Sequence, residues 1–280
     1  MPVLRVCGNR QRVKRNTQSC YYLAKTIMFE HIPNTHRFFV APESIQGQQV
    51  QLNDPHLVHQ LSSVLRLRSG ARVLLLDNSG SEYLVELDQI ERKQAQGHVL
   101  EQRQSGNETS VVLTVYIALL RGERFELVLQ KGTELGVQRF VPVQFARSLG
   151  GDRADEKKME RWRRILREAA EQSCRARIPE LHAPLSFEKA CLDAEGSRAF
   201  LLYEGNSTPM RQVLASSFAE AQPDHGYALF SGPEGGITPE ELTIANAHGI
   251  MPVSLGPRIL RAETAPIAAT AALLFALGDL

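Results

Sequence analysis

From His36 to Arg103, short apolar runs alternate with polar turns at the period of two that marks half-buried strands. Arg37-Phe38-Phe39-Val40 and residues 48–52 read as strands. Asp54-Pro55 then supplies an N-cap followed by proline in the first helical position. Leu57, Leu61 and Val64/Leu65 share one face of the helix that follows, and the pattern ends it near Arg66. After Gly70 come strand-like runs at residues 71–76, 82–87 and 98–103. The first two are joined by the hairpin turn Asp77-Asn78-Ser79-Gly80. Four or five short strands with one helix predict a small β-barrel over residues 36–105. The polar segment 102–110 reads as the linker out of it.

Beyond the linker the pattern changes. Residues 111–120 form a strongly apolar strand, 121–135 a helix ended by Gly136, and 139–145 another strand. A long charged helix covers 155–174. Residues 198–203 and 227–231 are strands of the fully buried type, and Thr238-Pro239-Glu240-Glu241 is a capping box with proline at the first helical position. A last strand at 250–255 precedes an apolar helix at 266–277. Apolar strands alternating with helices predict an α/β domain over 111–280, its parallel sheet covered on both faces.

Composition narrows the class. The chain of 280 residues carries a formal charge of +1. Residues 1–27 hold six bases (Arg5, Arg10, Arg12, Lys14, Arg15, Lys25) and no acid, leaving 26 bases against 31 acids in the remainder. Such a leader suits a transit-like segment or an RNA-binding arm. Without a continuous apolar stretch it is no secretory signal. Residues 1–35 are expected to be a disordered basic extension, with residues 1–27 lying upstream of the true start if that is Met28. No apolar run reaches membrane-spanning length. Cys7, Cys20, Cys174 and Cys191 form no CxxC and no zinc-type set with histidines, which predicts reduced thiols, no metal and a cytoplasmic protein.

Three segments carry candidate chemistry, each at or just beyond the end of a predicted strand, where open α/β sheets bind ligands. The first is Arg121-Gly122-Glu123-Arg124, with Lys131-Gly132-Thr133-Glu134-Leu135-Gly136 further along the same helix. Taken singly, these charges also suit a solvated helix face. Gly132 inside a helix costs about 1 kcal/mol relative to alanine and implies a close approach by another backbone or a ligand. The second is Ser231-Gly232-Pro233-Glu234-Gly235-Gly236-Ile237, either a tight connection or a ligand loop. It has neither the GK[ST] of a phosphate loop nor GxGxxG. A neutral or cationic ligand with an adenine ring suits it better than a polyphosphate, with Glu234 as an acceptor. The third runs from Ser254 through Arg261 and Glu263 to Ala265. Charge at the mouth of an apolar helix is costly unless paired or used. Glu263 suits the positive end of that helix, and Arg261 suits a substrate phosphate or a carbonyl.

The long helix adds Lys157, Lys158, Arg161, Arg163, Arg164 and Arg167, with Arg175 and Arg177 just beyond. Interleaved Glu160, Glu168 and Glu171 are consistent with a salt-bridged surface, while the excess of bases favours contact with RNA or phosphate. There is no GxSxG, no HExxH and no recognisable cysteine nucleophile.

Taken together, Gln130-Lys131-Gly132-Thr133-Glu134-Leu135-Gly136-Val137, Gly232-Pro233-Glu234-Gly235-Gly236 and Ser254-Leu255-Gly256-Pro257-Arg258-Ile259-Leu260-Arg261-Ala262-Glu263-Thr264-Ala265 resemble the three signatures of the RsmE family. These are the bacterial 16S rRNA uridine-N3 methyltransferases of the SPOUT superfamily. Arg37-Phe38-Phe39-Val40 and residues 59–66 resemble that family's PUA-like domain. The resemblance implies a C-terminal SPOUT α/β domain with a deep trefoil knot behind a small PUA-like β-barrel. It further implies S-adenosylmethionine as cofactor, homodimerisation, and the small ribosomal subunit as partner.

By position, Leu202, Gly232, Pro233, Glu234, Gly235, Gly236, Leu255, Gly256, Ile259, Leu260 and Arg261 would form the cofactor pocket. Arg261 or Arg121 would stabilise charge on the uracil carbonyls, and Glu134 or Glu263 would accept the proton. Arg37, Arg66, Arg124, Lys131 and Arg164 would face RNA. The alternatives are a SPOUT enzyme acting on another RNA atom, and a non-catalytic RNA-binding assembly factor.

Overall fold

The computed structural model describes residues 35–148, 154–217 and 225–280. The basic leader, up to residue 34, lies outside them. Six strands make the first sheet: β1 (Arg37–Phe39), β2 (Ile45–Gln46), β3 (Gln49–Leu52), β4 (Arg72–Leu76), β5 (Ser81–Ile90) and β6 (Ala95–Gln104). Their order is β1-β4-β5-β6-β3-β2, with β1 parallel to β4 and every other pair antiparallel. Alternate residues (Phe38, Val50, Leu52, Val73, Leu75, Val85, Leu87) point into one core with Leu57 and Leu61.

Asp54 caps helix α1 (Pro55–His59) by accepting the His56 N–H at 2.8 Å. The helix does not continue in α form to Arg66. Leu65 N–H reaches back five residues to Gln60 O at 2.9 Å, a wider turn over Gln60–Val64. That turn keeps Leu61 buried and swings Val64 out to 64% exposure, against the single face the spacing predicts.

The second sheet contains β7 (Leu113–Ala118), β8 (Arg139–Gln144), β9 (Glu180–Leu181), β10 (Leu185–Ser186), β11 (Arg198–Leu202), β12 (Thr208–Pro209), β13 (Tyr227–Ser231) and β14 (Met251–Ser254). Its order is β10-β8-β7-β13-β11-β14-β12, with β9 also on β8, and all pairs are parallel. The helices are α2 (Glu123–Leu135), α3 (Glu156–Gln172), α4 (Phe187–Asp193), α5 (Met210–Ser217), α6 (Pro239–Ala247) and α7 (Thr264–Leu277). All six residues of β7 are buried, as a central parallel strand requires. Tyr116 stacks on Phe230 across two strands at 4.2 Å. The capping box of α6 is complete, with Thr238 and Glu241 each accepting the other's backbone N–H.

Gly132 and Thr133 of the KGTELG segment pack into the fold. Gly132 faces the ring of Phe140, whose Cε1 and Cζ would lie 2.8 Å from any added Cβ. The close neighbour is therefore an aromatic ring of β8, not a ligand or another backbone. Thr133, fully buried, donates its hydroxyl back to Leu129 O. Arg175, also buried, donates to Thr133 O and Val137 O at the end of α2.

Candidate active site

Four neighbouring parallel strands end along one edge of the second sheet. A single register row, Ile117–Ser231–Leu202–Val253, crosses β7, β13, β11 and β14. Beyond that row leave the segments carrying Arg121, Gly232 to Gly236, Glu204, and Leu255 to Glu263. The strand order therefore gathers segments far apart in sequence, and Leu202 lies between the Gly-rich loop and the last one.

Charged side chains link these segments. Arg124, in the first turn of α2, donates to Glu234 Oε1 at 3.0 Å and has its Nε 4.0 Å from Glu263 Oε1. Arg261 Nη1 lies 4.0 Å from the same oxygen and its side chain is 82% exposed. Glu263 itself is buried at the N-terminus of α7. Its Oε2 is solvent-inaccessible and has no hydrogen-bond partner. A buried carboxylate oxygen in that state is expensive to keep and calls for a donor or a positive charge. The Gly-rich loop turns through Gly236 at φ +77°, held by its N–H to Pro233 O at 3.0 Å. Leu255 and Leu260 are half-buried, while Ile259 is exposed.

Several expected residues fall elsewhere. Glu134 lies ten residues along α2 from Arg124, about 15 Å at 1.5 Å per residue, and pairs with Lys131 at 2.8 Å. The structure thus separates Glu134 and Lys131 from the loop cluster, because they occupy the opposite end of the helix. Arg37, expected to face RNA, is turned inward onto Glu82 at 2.9 Å with a side chain only 14% exposed. Arg66 and Arg164 are exposed, far along the chain from these loops. On the basic helix, Arg161 pairs with Glu126 and Arg163 with Glu156, so part of that face is salt-bridged. A concavity of about 760 Å³ lies away from the loop cluster. It lies between the first sheet and α3, lined by Phe39, Leu52, Asn53, Asn78, Arg167 and Ile178 among others.

Residues 107–274 match the family described as an RNA methyltransferase domain, and residues 58–100 match an RNA methyltransferase PUA domain. A "Ribosomal RNA small subunit methyltransferase E" from Synechocystis sp. is 39% identical over 84% of this chain and 76% of its own length. The protein of the same name from Bacillus subtilis is 32% identical over 78% of this chain and 87% of its own. The chain belongs to the RsmE family. A crystal structure of the Neisseria gonorrhoeae member bound to S-adenosyl methionine superposes with a TM-score of 0.77 at 30% identity, covering 86% of this chain and 98% of that one. A methyltransferase from Legionella pneumophila in complex with the same cofactor gives 0.77 at 31%, covering 87% and 98%. The α/β domain is accordingly of the SPOUT type, behind a PUA-type module.

This RsmE member also has site-edge residues that the sequence reading passed over. Arg147, just past β8, donates to Gly235 O at 3.1 Å, and its Cβ would sit 2.9 Å from any Cβ placed on Gly235. Buried Glu241 accepts from Ala146 N at 2.7 Å as well as from Thr238 N, tying the β8 loop to the start of α6. Glu204 Oε1 flanks Gly236. The signal was available, since Arg147 and Glu204 each follow a strand end as the chosen segments do.

Proposed function

We propose that this protein is an S-adenosylmethionine-dependent methyltransferase that modifies N3 of one specific uridine in 16S rRNA of the small ribosomal subunit. Its membership of the RsmE family carries the reading. The site fits the cofactor on its own chemistry. The buried, unpartnered Glu263 Oε2 wants a donor or a cation, and Glu204 and Glu234 add two more carboxylates near the Gly-rich loop. Gly232 to Gly236, Leu202 and Leu255 to Leu260 would hold the cofactor, with Leu255 and Leu260 offering apolar contact.

The bound cofactor supplies a methyl group on a sulfonium, already activated toward a nucleophile. The chain's task is then alignment and proton removal. With Glu134 at the far end of α2, Glu263 is the acceptor for the uracil N3 proton, leaving the N3 electron pair for the new N–C bond. Arg261, exposed beside Glu263, stabilises negative charge developing on the uracil carbonyl oxygens, with Arg121 as the second candidate. Arg124 orients Glu234 and Glu263 by standing between them.

Residues 36–105 form the RNA-binding module and 111–280 the transferase. The interleaved order β7-β13-β11-β14 is consistent with knotted threading of the C-terminal segment. The exposed Arg66 and Arg164 suit RNA contact. Helix α7 is apolar on nearly every side yet leaves Phe275 73% exposed, which favours a homodimer that covers it. An rRNA substrate implies a cytoplasmic enzyme. Among the described residues no helix is long and apolar enough to cross a membrane, and no group of potential metal ligands forms.

The test is methyl transfer from labelled cofactor to 16S rRNA and to small subunits, with the modified nucleoside identified by mass spectrometry. 3-Methyluridine at a single position supports the reading. A different methylated atom would make it another kind of SPOUT enzyme, and tight RNA binding without transfer would make it an assembly factor.

A further inference from the structure

The outer edge of β1 is completed by a helix. Its inner edge pairs with β4, placing Phe39 opposite Leu76. On the other side, Phe39 N–H donates to Glu171 Oε1 at 3.0 Å, and Phe39 O accepts from Arg167 Nη1 at 3.1 Å. Arg167 and Glu171 are four residues apart and therefore share one face of α3. They meet the peptide groups of Phe39 much as a neighbouring strand would. Beneath them Phe39, Leu76, Ala170 and Ala176 form a separate small core. Next to it, Asn78 in the hairpin turn accepts the Ile178 N–H at 2.7 Å, and Arg177 donates to Ser79 O.

We propose that Arg167 and Glu171 are positioning residues that fix the orientation of the six-stranded module against the transferase, so that RNA held by one presents its uridine to the other. The inference rests on the reading that this module binds RNA. An apolar seam alone would hold the two parts together but would leave the angle between them soft. Two directional hydrogen bonds to the backbone of one residue fix that angle. Burial pushes the Glu171 carboxyl up despite the Phe39 N–H and Arg167, so the contact is an expensive way to gain stability alone. The pair lies on α3, outside the loops assigned to the cofactor, so its removal should spare cofactor binding.

The test compares the full-length protein with the Arg167→Ala/Glu171→Ala double variant and with Glu171→Gln, whose amide oxygen still accepts the Phe39 N–H. Cofactor affinity is measured by calorimetry, and kcat and KM on small-subunit rRNA by methyl transfer. The double variant is expected to bind cofactor within about twofold of wild type. Its kcat/KM on rRNA should fall on the order of 100-fold, the scale of a roughly 1 Å misplacement, and Glu171→Gln should retain most of the activity. Unchanged kcat/KM in the double variant would overturn the proposal, as would a parallel loss of cofactor affinity. If the double variant does not fold, Arg167→Ala alone decides by the same two measurements. Wild-type protein inactive on rRNA would instead defeat the underlying functional reading.

Discussion

Arg175 is a buried plug whose guanidinium Nη2 lies 2.9 Å from Glu108 Oε2. The same side chain donates to Thr133 O at 3.1 Å and Val137 O at 2.6 Å, bridging the last turn of α2 and the residues just after it. Glu108 also accepts the N–H groups of Ala176 and Arg177, so one ion pair joins the linker, α2 and the segment after α3. Arg175→Ala takes the cation from the Glu108 carboxylate and the side-chain donor from Val137 O, and leaves Thr133 O only the Gly136 N–H. Removing one partner of a buried pair costs about 3–5 kcal/mol. Urea unfolding should show a loss on that scale, and a loss below about 1 kcal/mol, the level of a surface pair, would refute the plug.

Glu82 predicts a pH dependence of stability. Its side chain is fully buried, accepting from Arg37 at 2.9 Å, Arg103 at 2.7 Å and Ser105 at 3.1 Å. Burial pushes its carboxyl up, but the two arginines outweigh burial and hold it below the usual range. A carboxyl depressed in the folded state stabilises fully above its unfolded value and loses that contribution as pH falls through the folded one. Glu82→Gln should therefore be less stable at neutral pH, with a smaller further loss on acidification below about pH 4 than wild type. Parallel acid-unfolding curves for the two proteins would contradict this.

What the sequence made legible was local. The Asp54-Pro55 and Thr238-Pro239 helix starts are written in adjacent residues and appear as expected. So do the central strands β7 and β13, whose apolar runs no other element could bury. The two-residue strands β2, β9, β10 and β12 carry too little pattern to register. The use of Arg175 is hidden because Glu108 lies 67 residues away. The distance from Arg124 to Glu134 is hidden for a simpler reason, since a motif within one helix reads as one point while ten residues of α2 carry it from the loop cluster to the far end. The three candidate loops each follow a strand end, and that rule, applied to every strand, also points to Arg147.

Gly132→Ala tests the architectural reading of KGTELG. Alanine would gain about 1 kcal/mol of helix propensity, but its Cβ would meet the ring of fully buried Phe140 at 2.8 Å. Overpacking of this kind costs about 1–3 kcal/mol, so the expected result is a modest net loss. The urea midpoint should fall at unchanged slope, while cofactor affinity stays the same. A weaker cofactor affinity at unchanged stability would return this glycine to the binding site.

Glu263 and Glu134 make opposite predictions, which separates catalysis from architecture. Glu263 has one buried oxygen, Oε2, with no hydrogen-bond partner, while its Oε1 lies 4.0 Å from both Arg124 and Arg261; both oxygens of Glu134 instead accept from Lys131 at 2.8 and 3.0 Å. Glu263→Gln keeps the shape and removes the proton acceptor. Single-turnover methylation should slow by about 10²–10⁴-fold, the range for losing a general base. Stability should hold or rise, because a buried carboxylate with an unpaired oxygen is relieved of its charge. Glu134→Gln should methylate at the wild-type rate. If Glu263→Gln also kept full single-turnover activity, proton removal would belong to solvent or to a group outside the described residues. The unpartnered oxygen would then be left with the cofactor as its natural donor, and the loss should appear as weaker cofactor binding in a calorimetric titration of the same variant.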